Sequence, residues 1–225
     1  MAPVGSPGPE PRIETRVYSA EDAAALDAAL QALRAGRVVV FPTDTVYGIG
    51  GDPWSTEAVK RLYWAKQRPR DMAIPILVSA SRHVRQVAME LPEAFGRLTA
   101  RFWPGGLTLV VPRRPSLPDV VCAGGASVAV RMPDHPVALA LIEAAGGALA
   151  VSSANRSGSP AAVTAVEALA DLEGRVAVVI DAGECPGGIA SAVIDLVGRP
   201  PRLLRAGGIG LEALREIVPD LVERP

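Results

Sequence analysis

Lysine occurs only at Lys60 and Lys66, against 21 arginines, and asparagine only at Asn155. In a chain that avoids these residue types, the exceptions are the first candidates for chemistry. Lys66 opens the run Lys66-Gln67-Arg68-Pro69-Arg70-Asp71. Three cations there could hold phosphate or carboxylate oxygens. They could equally serve the negative end of a helix that Pro69 terminates. Asn155 lies in Val151-Ser152-Ser153-Ala154-Asn155-Arg156-Ser157-Gly158. Hydroxyls and exposed backbone N–H groups after an apolar strand can cradle phosphate, although Asn and Gly are also ordinary turn residues. A third run, Phe41-Pro42-Thr43-Asp44-Thr45-Val46-Tyr47-Gly48, sets two threonines and an aspartate after a buried strand, where they could bind a ligand or cap the next segment. The fourth region pairs Gly188-Ile189-Ala190-Ser191 with Leu203-Leu204-Arg205-Ala206-Gly207, a lone arginine before glycines. No G-x-x-x-x-G-K-[ST] run exists, which excludes a P-loop nucleotide site. No side chain stands out as a strong base. His135 follows Asp134 near Arg131, but a loop histidine is more often structural. Catalysis by such a set would rest on positioning and charge stabilisation.

The elements that must position these residues follow from periodicity. Ser19-Ala20-Glu21-Asp22 offers an N-cap with acidic first-turn residues, ahead of Leu26, Leu30 and Leu33 at helical spacing and Gly36 as a stop. Helices are also predicted over 56–65, 93–102, 136–145, 164–172 and 211–217. Short β-branched runs predict strands over 37–41, 74–78, 107–111, 128–130, 149–151, 176–180 and 192–196. This alternation means α/β. The link from 111 to 128 is too short for a helical crossover, so the sheet should be mixed, parallel and antiparallel. Residues 1–12, rich in Pro and Gly, read as a flexible leader, and 13–225 as a single domain.

Composition narrows the function classes. The chain of 225 residues is 49% hydrophobic, with a mean hydropathy of +0.25. That supports a sizeable core and excludes disorder over most of its length. Lys and Arg number 23 against 24 Asp and Glu, so no global basic excess announces a nucleic-acid partner, though a local patch stays open. Cys122 and Cys185 show neither a disulfide framework nor metal-ligand spacing. Two histidines, His83 and His135, make a multi-His zinc site improbable. The apolar stretch over 137–151 is interrupted by Glu143 and Gly146-Gly147 and is too short to span a bilayer. A soluble, cytoplasmic protein with no membrane partner is expected.

The runs of residues 41–50, 66–69 and 152–158, together with Phe102-Trp103-Pro104-Gly105-Gly106-Leu107-Thr108-Leu109 and Val130-Arg131-Met132-Pro133, resemble the YrdC-like family in type and order. The resemblance runs from about Ala35 to Gly208. The chain is similar to the family's short, single-domain form. The resemblance implies a twisted mixed α/β sheet with flanking helices around a concave cavity. It also implies an L-threonylcarbamoyladenylate synthase, a nucleotidyltransferase. Such an enzyme joins L-threonine, bicarbonate and ATP into threonylcarbamoyl-AMP and releases pyrophosphate. A separate tRNA threonylcarbamoyl-transfer complex would take the product for threonylcarbamoyladenosine modification of tRNA, and Mg²⁺ would accompany ATP.

Carried onto this chain, the resemblance implies that Lys66, Arg68, Ser153 and Asn155 form the catalytic set. Thr45, Arg131 and Ser191 would bind threonine. Arg68, Ser127, Ser153, Asn155 and Arg205 would bind the nucleotide. No residue is assigned as a metal ligand. Relatives usually show Ser-Thr where this chain has Ser191-Ala192, and some place a histidine after the K-x-R loop where Leu77 stands here. The rival reading is a double-stranded RNA or nucleotide-binding module of the same fold without synthase activity. The small-hydroxyl loop favours the enzyme, since an RNA surface needs cations and aromatics more.

Overall fold

The computed structural model describes residues 12–186 and 189–223. The expected leader, apart from Arg12, and the Gly188 position lie outside the described residues. In chain order the elements are β1 (Arg16–Ser19), α1 (Ala24–Arg34), β2 (Val39–Phe41), β3 (Gly48–Gly51), α2 (Thr56–Lys66) and β4 (Ile76–Val78). A 3-10 helix over Ser81–Gln86 precedes α3 (Glu93–Phe102), β5 (Leu107–Pro112), β6 (Ser127–Arg131), α4 (Pro136–Ala144) and β7 (Ala148–Ser153). The rest are α5 (Ala165–Leu172), β8 (Val178–Asp181), β9 (Ala192–Asp195), β10 (Arg202–Arg205), α6 (Leu211–Arg215) and β11 (Val222–Glu223). All strands join one sheet in the order β1-β8-β2-β3-β7-β4-β6-β5-β9-β10-β11. It is mixed, as expected: β4 runs parallel to β6, whereas β5 and β6 are antiparallel.

Strand alternation sends successive side chains to opposite faces. Val38, Val40, Ile49, Ile76, Leu109, Val130, Ala150 and Ile194 point to one face, where Leu62 of α2, Leu98 of α3, Ala168 of α5 and Leu214 of α6 close a core along the whole sheet. Val39, Phe41, Leu77, Leu149, Val151, Val178 and Ile180 point to the other face, under Leu30 and Leu33 of α1 and Leu141 and Ile142 of α4. That second cover stops at β4. On β6, β5 and β9 the same face carries Ser127, Ala129, Arg131, Thr108 and Val193, none of which joins the second core. Among the described residues no helix is long and apolar enough to cross a membrane.

Two local expectations change. Ser19 does not cap α1. It ends β1, which pairs with β8, and its Oγ accepts from the Glu21 N–H, so the helix begins only at Ala24. Residues 48–51, Gly-Ile-Gly-Gly, for which no strand is predicted, form β3 between β2 and β7. Glycine is required there, because a Cβ at Gly48 would lie 2.9 Å from the Val151 side chain and one at Gly50 2.8 Å from Phe41. The gain in close strand packing offsets the entropy that glycine loses in a strand.

Candidate active site

Two groups of polar side chains stand out, one on the uncovered half-face and one where the end of α2 meets the loop after β7. The first centres on Arg131, the last residue of β6, which is buried. Its guanidinium is held on three sides. Nε donates to the Gly105 carbonyl at 3.0 Å, one terminal nitrogen to Thr45 Oγ1 at 3.2 Å, and the other to Asp44 Oδ1 at 2.6 Å. The loop after β2 delivers Asp44 and Thr45. It is kept in shape by Thr43, whose Oγ1 donates to the Val46 carbonyl at 2.6 Å and lies 3.1 Å from Thr45 Oγ1. Asp44 shares the site through an ion pair, a role that sequence reasoning does not assign to it. Its only signal was its place between two threonines after a buried strand.

Next to Arg131 stand Ser191 and Arg205. Arg205 grips Ser191 twice, Nε to its carbonyl and a terminal nitrogen to its Oγ, each at 3.0 Å. Partial burial, and then the Arg131 charge, lower the Arg205 guanidinium from its ordinary value. The residue is exposed overall, and the sheltered part is the head bound to Ser191. Two guanidiniums facing one space repel each other, and an anion between them removes that cost. Ala192 lies in the first core with no exposed surface. A threonine hydroxyl at that position would point into apolar packing, so the departure from Ser-Thr leaves the Ser191 face intact. His135 precedes α4 with its Nδ1 buried and unpartnered among the described residues. Burial lowers its imidazole, against the opposing charges of Asp44 and Asp134.

The second group centres on Lys66. Ser55 starts α2 by accepting from the Ala58 N–H, and Gln67 ends it in the left-handed region at φ 51°. Lys66 is only 2% exposed. Its Nζ donates to the carbonyls of Ser153 at 2.5 Å and Asn155 at 2.6 Å, while its own carbonyl accepts from the Ser157 N–H. Burial first, and then the Arg68 charge, bring its ammonium down to about 8, with Asp171 acting the other way. Lys66 thus does more than serve a helix dipole: it locks the helix end to the loop after β7. Arg68 is half-buried and donates to the Met72 and Ala73 carbonyls.

The expected backbone cradle is not there. The N–H groups of residues 154–157 go to Tyr47 O, Ser153 O, Asp171 Oδ2 and Lys66 O, so none is left for a phosphate. The loop instead offers the Ser153 hydroxyl and a buried Asn155 Oδ1 that has no partner among the described residues. The Asn155 amide nitrogen is spent on the Arg156 and Ser159 carbonyls.

Ser127 begins β6 on the same face as Arg131, about 13 Å away at 3.3 Å per residue. The structure therefore brings Thr45, Arg131, Ser191 and Arg205 together, and separately Lys66, Ser153 and Asn155. Arg205, expected on the nucleotide, lies with the residues expected to bind threonine. Leu77 pairs with Arg131 across β4 and β6 but packs in the second core beneath α4, so it offers the site nothing. Among the described residues no group of three or more His, Cys, Asp or Glu is placed to hold a metal ion.

Comparison with known proteins bears on the family and the fold. Residues 31–207 match the Sua5_yciO_yrdC family, described as "Telomere recombination". The chain is 42% identical over 193 residues to a threonylcarbamoyl-AMP synthase of Pyrococcus abyssi, covering 86% of this chain and 57% of the relative. It is also 42% identical to the synthase of Bacillus subtilis, covering 83% of this chain and 54% of the relative. The chain thus spans little more than half the length of these two relatives. A crystal structure of P. abyssi Sua5 complexed with L-threonine superposes with a TM-score of 0.89 at 38% identity, covering 95% of this chain and 63% of that one. A family match across most of the length and a shared fold at this identity carry one conclusion: the chain belongs to the Sua5, YciO and YrdC family.

Proposed function

We propose that the chain is an L-threonylcarbamoyladenylate synthase, joining L-threonine, bicarbonate and ATP into threonylcarbamoyl-AMP with release of pyrophosphate and water. The observation that carries this reading is the presence of two cationic groups, Arg131 with Arg205 on the uncovered half-face and Lys66 with Arg68 at the end of α2 beside the loop after β7. Threonine, bicarbonate and a triphosphate all bring negative charge into one space, and fixed cations offset their repulsion there. The name of the P. abyssi and B. subtilis relatives supports the activity, and the threonine complex of the P. abyssi protein supports the amino-acid substrate.

In this reading Arg131 holds the threonine carboxylate with the N–H bonds that Gly105, Thr45 and Asp44 leave over. Those three partners fix the plane of the fork, so little rotamer entropy is lost on binding. Thr45 supplies a hydroxyl beside the carboxylate. Lys66, Arg68, Ser153 and Asn155 face the phosphates and the carboxylated amine, and Ser127 the nucleotide. Mg²⁺ enters with ATP, held by phosphate oxygens and water. The product then passes to a tRNA-modifying transfer complex in the cytoplasm. Pyrophosphate release measured with each reactant omitted tests the reading. It should need both threonine and bicarbonate, with threonylcarbamoyl-AMP seen by mass spectrometry. ATP turnover unchanged without threonine would leave a generic ATPase, and tight duplex RNA binding without turnover would favour the RNA-binding module.

A further inference from the structure

Thr108 is a polar residue in an apolar strand, and the proposed reaction gives it no task. Its neighbours Leu107 and Leu109 are fully buried in the first core, while Thr108 points to the opposite face and is 5% exposed. The β5–β6 ladder pairs Leu109 with Val130, so the next rung sets Thr108 beside Arg131 on the uncovered face. Its hydroxyl has one hydrogen-bond partner among the described residues, Ser191 Oγ at 2.8 Å.

Either hydroxyl can donate in that bond, and counting protons shows what each direction leaves. A hydroxyl has one proton to donate and two lone pairs to accept with. Thr108 and Ser191 are each 5% exposed, so the proton that stays out of the bond is sheltered in either direction and gains from a ligand acceptor. Arg205, which can only donate, already occupies one lone pair of Ser191 Oγ at 3.0 Å. When Thr108 donates to the second lone pair, Ser191 Oγ has no acceptor capacity left. Its own proton then points away from both partners, into the uncovered face. The backbone of Ser191 cannot drift, because Arg205 Nε holds its carbonyl and a Cβ at Gly207 would lie 2.6 Å from the Ser191 carbonyl carbon.

We propose that Thr108 is a positioning residue that makes Ser191 an obligate hydrogen-bond donor toward the carboxylate of the bound amino acid. The claim rests on the reading of this half-face as a threonine site. It adds a source of selectivity. A donor at Ser191 donates to a carboxylate oxygen and leaves an incoming ammonium or amide N–H unpaired, which is how a site of fixed polarity rejects a near-isostere. Arg131 and Arg205 attract any anion, and the Thr108–Ser191 bond adds a requirement for an acceptor at one position.

Thr108→Val removes the hydroxyl at nearly constant volume, and Thr108→Ser restores it. For Thr108→Val the expected result is a fivefold or greater rise in KM and calorimetric Kd for L-threonine, with kcat at saturation and ATP affinity changing less than twofold. The preference for L-threonine over L-threoninamide should fall, melting behaviour should stay at the wild-type value, and Thr108→Ser should recover most of the loss. A Thr108→Val variant with wild-type affinity and wild-type discrimination against the amide would overturn the proposal. Neutron diffraction from deuterated crystals reads the polarity without any ligand. The deuteron between the two oxygens should sit on Thr108, and one found on Ser191 would overturn the proposal even in a protein that binds threonine. Should the wild-type chain bind no threonine by calorimetry, the synthase reading fails, and the deuteron still decides the direction of the bond.

Discussion

One face of the sheet is built twice, with opposite results. Across β2, β7, β8 and β4 it carries Val39, Leu149, Val178 and Leu77, closed over by α1 and α4. Across β6, β5 and the start of β9 it carries Ser127, Arg131, Thr108 and Ser191, with no helix of that layer above them. Leu77 and Arg131 stand side by side at the border, paired in register on parallel strands. The backbone is alike on both sides, and the strands alternate alike. The difference is the cover. Where helices pack, apolar side chains lose water and stabilise the fold. Where they do not, the side chains can be polar, provided that each buried donor is satisfied. At Arg131, Gly105, Thr45 and Asp44 each take one N–H, and two N–H bonds are left over.

If this division holds, substitutions on the covered half should lower stability and spare substrate affinity, and those on the open half should do the reverse. The largest expected effect is on the covered side. Leu141 has no exposed surface, and Leu141→Ala should cost about 2–5 kcal/mol of stability in thermal or denaturant unfolding. KM for threonine, measured well below the new melting point, should stay near wild type. A rise in KM matching that of a site variant would break the comparison.

Lys66→Arg comes next. At 2% exposure and with two carbonyl acceptors, the site leaves room for a compact ammonium, whereas a guanidinium is broader and forked. A fall of ~10²-fold or more in kcat/KM is expected, roughly 2.7 kcal/mol of transition-state stabilisation. Lys60, exposed and paired with Glu57 at 2.7 Å, is the control, and Lys60→Arg should be silent. Near-wild-type turnover of Lys66→Arg would return that lysine to a purely architectural part.

Arg131→Ala should weaken threonine binding by about 1.5–3 kcal/mol, the typical loss of a charged hydrogen-bond partner, and ATP binding far less. Calorimetry with each ligand separates the two. Equal losses would mean that the two polar groups act as one.

The smallest effect is on pH dependence. The Lys66 ammonium, brought down to about 8 by burial and Arg68, loses its proton as pH rises through that value. In kcat/KM this should appear as a decline above pH ~8 that Lys66→Arg abolishes. Stability should move the other way. Between about 8 and the ordinary lysine value near 10.4 the unfolded chain binds more protons than the folded one, so stability rises with pH across that window. A denaturation series over the same range reads that sign.

Much of this molecule was legible in local pattern. The helix over 93–102 has the bounds its periodicity predicts, because its amphipathic stripe needs no distant partner to be recognised. Lys66, Thr45 and Ser153 stood out because each lies in a short run of unusual polarity, whereas Arg131, in Val130-Arg131-Met132-Pro133, was reached through the family resemblance. The strands β1, β3, β10 and β11 were not. β3 is glycine-rich for the sake of Val151 and Phe41, residues far from it in sequence, and β10 reads Arg-Leu-Leu-Arg, with its outer side chains exposed. Asp44 and Thr108 were passed over for a similar reason, since each looks locally like a cap or a strand residue.

The sequence by itself determined the fold class, the mixed character of the sheet and the candidate residues, because periodicity and polarity are properties of neighbours along the chain. Only the tertiary structure decided how those candidates act. Lys66 meets the carbonyl of Ser153 across 87 positions, and Arg131 meets Asp44 across the same separation. Thr108 meets Ser191 across 83. Such pairings, and the end of the helical cover beside β4, depend on strand order and register. These are set by burying two apolar layers at once, a condition that no stretch of sequence satisfies alone.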